Sequence, residues 1–192
     1  MRFCHLATWL FTLLTACAGS TPFAADFATA LGAAPPGAGA RLWLDGGRIG
    51  AAVVPCHPAE LPPAARTMLT AVAPDGERRY TGREWSARGT GFRIEVAYTD
   101  PAHVRSVLLA DDGAVLERSH TVPLTEVPQH VLATALRSAP FVDEAWIVSG
   151  PQREEHWELL LRERSGALHS VRIGLDGSAL AHRRRVDARI DG

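Results

Sequence analysis

The residues best equipped for chemistry are Cys56 beside His57, Glu154-Glu155-His156 with His169 further along, and the run Arg183-Arg184-Arg185. A thiol next to an imidazole suggests a nucleophile pair or half of a metal site. Successive side chains on an extended chain point to opposite faces, however, so Cys56 and His57 do not readily share one proton or one ligand. A free cysteine more often serves as a small buried hydrophobe. His156 and His169 on neighbouring strands, with two glutamates nearby, could hold zinc only if its strict ligand count and geometry were met, and a solvated polar turn explains the same residues more simply. The arginine run could touch phosphate or lipid headgroups. It falls short of the roughly four or more basic residues that mark membrane recognition, and reads as a solvated face. The chain has no glycine-rich phosphate loop, no Gly-x-Ser-x-Gly elbow, no His-Glu-x-x-His and no Cys-x-x-Cys. No catalytic residue, metal ligand or cofactor is assigned on these grounds, and a non-enzymatic protein is expected. The alternative is a thiol- or metal-dependent sensor or enzyme that uses Cys56 with His57, His120 or His156.

The composition of the 192 residues, 46% hydrophobic and 21% charged, is that of an ordinary globular chain. Twenty basic residues against 21 acidic ones give a net charge of −1, which provides no basic stripe for a phosphate backbone and excludes electrostatically driven nucleic-acid binding. Every basic residue other than histidine is arginine, and asparagine is missing too, a drift typical of GC-rich coding sequence that weakens arginine content as a functional signal.

Residues Met1 to Ala16 carry Arg2 and then an apolar run from Leu6, with the charge order of a secretory signal and too short a core to span a bilayer. Leu14-Thr15-Ala16-Cys17 matches a bacterial lipobox, in which Cys17 becomes the acylated first residue. Ala16-Cys17-Ala18 also fits ordinary cleavage after Ala18, which would release a soluble periplasmic or secreted protein. The lipobox is the more restrictive match. Residues 1–17 are therefore read as a signal with lipidation at Cys17, and the Ala-, Gly- and Pro-rich residues 18–40 as a flexible tether. Cys4 falls in the leader, so Cys56 is the lone thiol of the folded part and no internal disulfide is available to it.

Two short apolar runs flank Asp45-Gly46-Gly47, as in a β-hairpin over residues 41–60. Beyond it the chain repeats itself. Leu61-Pro62 to Ala73-Pro74 recurs as Val127-Pro128 to Ala139-Pro140 at equal length, each with apolar residues at near-helical spacing between its prolines, which predicts a helix of about three turns in each unit. Tyr80 and Trp146, then Phe92-Arg93-Ile94-Glu95-Val96 and Trp157-Glu158-Leu159-Leu160-Leu161, then Asp112-Gly113 and Asp176-Gly177, follow in the same order. Alternation of period two marks strands with one buried face, and Asp-Gly between strand-like runs marks tight hairpins. The expected fold is α+β: two tandem repeats, 61–126 and 127–192, each a helix plus a four-stranded antiparallel sheet, preceded by the short hairpin.

A helix opening on proline, an aromatic in the first strand, an aromatic-x-aliphatic-x-aliphatic strand and a closing Asp-Gly-x-x-Leu hairpin together resemble the PepSY-like repeat proteins of bacterial envelopes. The arrangement is also similar to the tandem modules of the β-lactamase inhibitory protein. The resemblance implies an extracytoplasmic binding or inhibitory module with an unidentified envelope protein as partner, held to the membrane through its N-terminal lipid. With both helices on one side, the opposite faces carry Arg93, Glu95, Glu158 and Arg172, a polar surface that two adjacent units would shape into one broad concavity. Trp85, Arg93 and Trp146 are the partner-binding candidates, because aromatic and arginine anchors dominate binding energy.

Overall fold

The computed structural model describes residues 24–34, 37–72, 77–86, 89–97, 104–151 and 153–189. Helix α1 (Ala24–Ala33) leads into the hairpin β1 (Gly39–Asp45) and β2 (Arg48–Pro55). A 3-10 turn over Pro58–Glu60 precedes α2 (Pro63–Val72), which is followed by β3 (Glu77–Ser86), β4 (Gly89–Ala97), β5 (Val104–Leu109) and β6 (Val115–Thr121). A second 3-10 turn (Leu124–Glu126) precedes α3 (Gln129–Ala135), and β7 (Phe141–Gly150), β8 (Arg153–Arg162), β9 (Leu168–Gly174) and β10 (Ala179–Arg189) complete the order. Cys17 and the leader lie outside the described residues.

The ten strands form one closed antiparallel barrel in which each strand pairs with its neighbours in sequence and β1 pairs with β10. This corrects the expected fold of two helix-plus-sheet repeats, and with it the resemblance to PepSY-like tandem proteins and the inhibitory-protein arrangement. Arg118 of β6 pairs with Ser149 of β7 through to Thr121 with Trp146, so the strands before and after residue 127 run on as one sheet. The hairpin is no appendage. Its β2 pairs with β3 from Ala51–Ser86 to Pro55–Gly82, and its β1 pairs with β10 from Gly39–Arg189 to Leu44–Arg184. An eight-stranded open sheet would leave the backbone groups of β3 and β10 unpaired, and the hairpin removes both edges by filling the gap.

Burial is reversed from that of a barrel with an apolar inside. Alternate side chains point outward under the helices and pack there in three clusters. Helix α1 places Phe27 against Trp85, Leu42 and Val54, with the Phe27 and Trp85 rings edge to face at 5.7 Å. Helix α2 covers Phe92, Ile94, Val107 and Leu109 with Ala65, and α3 covers Trp157, Leu159, Leu161, Val171 and Ile173 with Val131 and Ala135. Helix α1 thus occupies part of the segment that composition reads as a tether, and Phe27, 3% exposed, is the residue that anchors it. Helix α3 is shorter than the three turns expected, because after Leu136 the chain tightens into Arg137→Thr134 and Ser138→Ala135 bonds.

Each longer unit is fastened at its Asp-Gly turn. Gly113 and Gly177 have positive φ, 87° and 84°, and a Cβ at either would lie 2.7 Å from a neighbour, Ala64 Cβ of α2 for Gly113 and the His130 ring of α3 for Gly177. Thr134 Oγ1 donates to the Gly177 carbonyl at 2.9 Å, and His130 Nε2 lies 3.1 Å from the Leu175 carbonyl oxygen. The dipeptide therefore both turns the hairpin and seats the helix.

Candidate functional site

The side chains that point away from the helices converge on the lumen, a cavity of about 380 Å³. Its lining includes five arginines and five glutamates, with Trp43, Tyr80 and Trp146 and a set of serines. The four residues that strand alternation assigned to one polar face, Arg93, Glu95, Glu158 and Arg172, all line this lumen. The surface they form is closed by the barrel wall, not open as a concave sheet.

The innermost charges are grouped around Arg93, whose side chain is 13% exposed. Its Nε donates to Glu84 Oε2 at 2.7 Å, its Nη1 lies 2.8 Å from Glu117 Oε1, and both carboxylate side chains are 7% exposed. Burial by itself disfavours the Arg93 cation, but Glu84 and then Glu158 and Glu95 outweigh it and hold the guanidinium pKa above its ordinary value. Arg41 of β1 reaches across to Glu95 of β4 through two hydrogen bonds, one of them Nη2 to Oε2 at 3.1 Å, and its guanidinium also sits 4.2 Å from the centre of the Tyr80 ring. Burial acts against this cation too, and the bond to Glu95 more than offsets it.

On β9, Arg172 Nε donates to Glu158 Oε2 at 3.3 Å, and Ser170 Oγ donates to Glu158 Oε1 at 2.6 Å. On β10, Arg183 Nε bonds Asp45 at 3.0 Å and Arg185 bonds Asp187 at 2.8 and 3.2 Å. The arginine run read as a solvated face is thus split by strand alternation, with Arg183 and Arg185 in the lumen and Arg184 exposed.

The three partner-binding candidates are separated. Arg93 is in the lumen, locked by two carboxylates. Trp146 is half-buried in the lumen wall, its Nε1 donating to Glu144 Oε2 at 3.1 Å. Trp85 is 1% exposed and packed beneath α1 on the other side of the wall. Arg41 and Tyr80 are not among the site residues expected from sequence, although their period-two spacing with Trp43 and with Glu84 places them on the lumen side.

The thiol and histidine candidates are not assembled either. Cys56 is half-buried beside the α2 cluster, and burial, with Glu60, pushes its pKa up to about 11. His57 is used as a cap: its Nδ1 accepts from the Ala59 amide at 3.2 Å, while Glu60 accepts from the His57 amide at 2.7 Å. His120 is exposed on β6 and His156 is buried on β8. His169 is not opposite His156. It lies 2.8 Å from Glu163 and its Nδ1 is 3.0 Å from Nε2 of His182. Among the described residues no three His, Cys, Asp or Glu side chains are grouped to hold a metal ion.

No family model and no curated protein matches the chain. Solved structures do. A Bacteroides eggerthii structure described as one of "putative periplasmic proteins" has a TM-score of 0.49 at 12% identity over 64% of this chain and 88% of its own. DUF2874 family proteins from Bacteroides uniformis and Bacteroides ovatus give TM-scores of 0.49 and 0.47 at 11% and 14% identity, each over 64% of this chain.

Proposed function

We propose that the chain is a non-enzymatic binding module of the bacterial envelope, carried on a lipid at Cys17 and taking its ligand into the barrel lumen. The observation that carries this reading is the lumen itself, whose volume of about 380 Å³ lies in the usual range of roughly 300–1,000 Å³ for ligand pockets. Its wall combines charged groups with tryptophans, which is the mixture that gives orientation and contact area. The envelope partner expected from sequence becomes, with this geometry, a ligand narrow enough to enter a closed wall. The periplasmic location rests on the leader of residues 1–17, which directs export under either cleavage.

Native mass spectrometry of the protein purified from its own envelope tests the binding reading. A bound species of a few hundred daltons, lost when Trp146 is replaced by alanine in a barrel that stays folded, is the expected result. A barrel that captures nothing from concentrated envelope extract overturns it. For the anchor, mass analysis of the mature amino terminus should show an acylated Cys17, and a free Gly19 instead would mean soluble release.

A further inference from the structure

The lumen charges are sorted by strand. The three consecutive strands β9, β10 and β1 contribute Arg172, Arg183, Arg185 and Arg41 to the lining, with Asp45 and Asp187 at its margin pairing Arg183 and Arg185, whereas β3, β4, β6, β7 and β8 contribute five glutamates and Arg93. A wall divided in this way is a dipole, and it selects a ligand that is itself cationic at one end and anionic at the other.

Register fixes the span between the ends. Glu144 of β7 pairs with Leu160 of β8, Leu160 with Ser170 of β9, and Ser170 with Arg183 of β10. Four lumen residues therefore lie in one row, an acid, an apolar side chain, a hydroxyl and a base. Three strand spacings separate the ends by about 14 Å along the wall. The adjoining row places Trp146, Glu158 and Arg172 across the same strands. A peptide of three residues extends roughly 10 Å along its backbone, and the reach of the Glu144 and Arg183 side chains covers the remainder.

The donors at the basic end are only partly used. Arg172 and Arg183 meet their carboxylates through Nε, which leaves the paired terminal nitrogens for another acceptor. Tyr80 lines the same cavity, and its buried hydroxyl has no hydrogen-bond partner among the described residues. A buried hydroxyl without a partner is costly, and a ligand oxygen in the lumen would supply one.

Building on the lumen-binding reading above, we propose that the ligand is a short zwitterionic peptide of about two to four residues. Its ammonium group lies against Glu144 and the face of Trp146, its carboxylate against the terminal nitrogens of Arg183, and an apolar side chain over Leu160.

Isothermal titration calorimetry of the folded barrel with the tripeptide Ala-Leu-Ala, its N-acetylated form and its C-amidated form tests this. The free peptide should bind, and each blocked form should lose at least about tenfold in affinity, the loss expected for one charge-assisted pair. Glu144→Gln should abolish the penalty for acetylation alone, and Arg183→Gln the penalty for amidation alone, with circular dichroism confirming that both variants fold. Equal affinity for all three peptides overturns the zwitterion assignment while leaving a binding lumen. So does failure of all three to bind when native mass spectrometry shows another occupant. Failure of the peptides together with an empty lumen in the native material overturns the binding reading itself.

Discussion

Replacing Arg93 with alanine leaves Glu84 and Glu117 as two carboxylates, each 7% exposed, with their shared cation gone. Removing one partner of a buried ion pair typically costs about 3–5 kcal/mol because the remaining charge is uncompensated. Arg93→Ala should therefore lower the melting temperature sharply, and adding Glu84→Gln should recover part of the loss by removing one stranded charge. Denaturant unfolding of the single and double variants measures both.

Cys56 has the opposite character. With its pKa pushed up to about 11, it is protonated throughout the physiological range, and the thiolate is the reactive form. Reaction with a disulfide reagent at pH 8 should be slow and should accelerate up to about pH 11. Cys56→Ser should leave peptide binding unchanged; loss of binding in a folded Cys56→Ser barrel would revive the thiol-dependent reading. His182 adds a modest pH dependence. Its pKa is lowered by burial and then by His169, with Glu163 opposing. The unfolded chain therefore takes up the proton first, and stability that is full above the ordinary histidine value near 6.5 is lost as pH falls below it. Thermal melts between pH 7.5 and about pH 5 should show a slope that His182→Ala flattens.

At the level of elements, the two Asp-Gly turns differ in what a methyl group would strike. Alanine at either position takes on a left-handed backbone, a penalty of about 1–2 kcal/mol. At Gly113 the new Cβ also meets Ala64, both its Cβ at 2.7 Å and its backbone, while at Gly177 it meets the side chain of His130, which can rotate away. Gly113→Ala should therefore be the more destabilising of the pair, as measured by chemical denaturation, and equal losses would mean that the α2 contact adds nothing. Much of this level was legible in the sequence. The helix prolines, the Asp-Gly turns and the alternation of Phe92, Ile94 and Val96 against Arg93 and Glu95 are local patterns, and they place Arg93, Glu95, Glu158 and Arg172 on one face, four of the residues that line the lumen. Trp85 was misassigned because its immediate neighbours, Glu84 and Ser86, are polar. That same polarity shows that they face the lumen while Trp85 faces the helices, and the α1 segment that buries Trp85 has the composition of a tether.

At the level of the whole molecule, closure was not legible, because it depends on β1 pairing with β10, strands from opposite ends of the chain with no local signal joining them. The alternation of a strand states which side chains share a face, and is silent on whether the sheet curls round to meet its own edge. That difference decides what the polar face can bind, since an open sheet offers a platform for a folded protein and a barrel offers only its lumen. A proline at Leu42 tests the closure directly. Leu42 pairs with Ala52 of β2 on one side and with Val186 of β10 on the other. Proline there removes a backbone donor and strains the ladder in a strand bonded on both sides. In a closed barrel the damage spreads both ways, so hydrogen exchange of Leu42→Pro should show faster amides in β2 and in β10, with β6 and β7 across the barrel least affected. In an open sheet β1 would be a terminal strand and β10 a distant edge. Protection lost in β2 with β10 unchanged would rule out the barrel, and the enclosed ligand site with it.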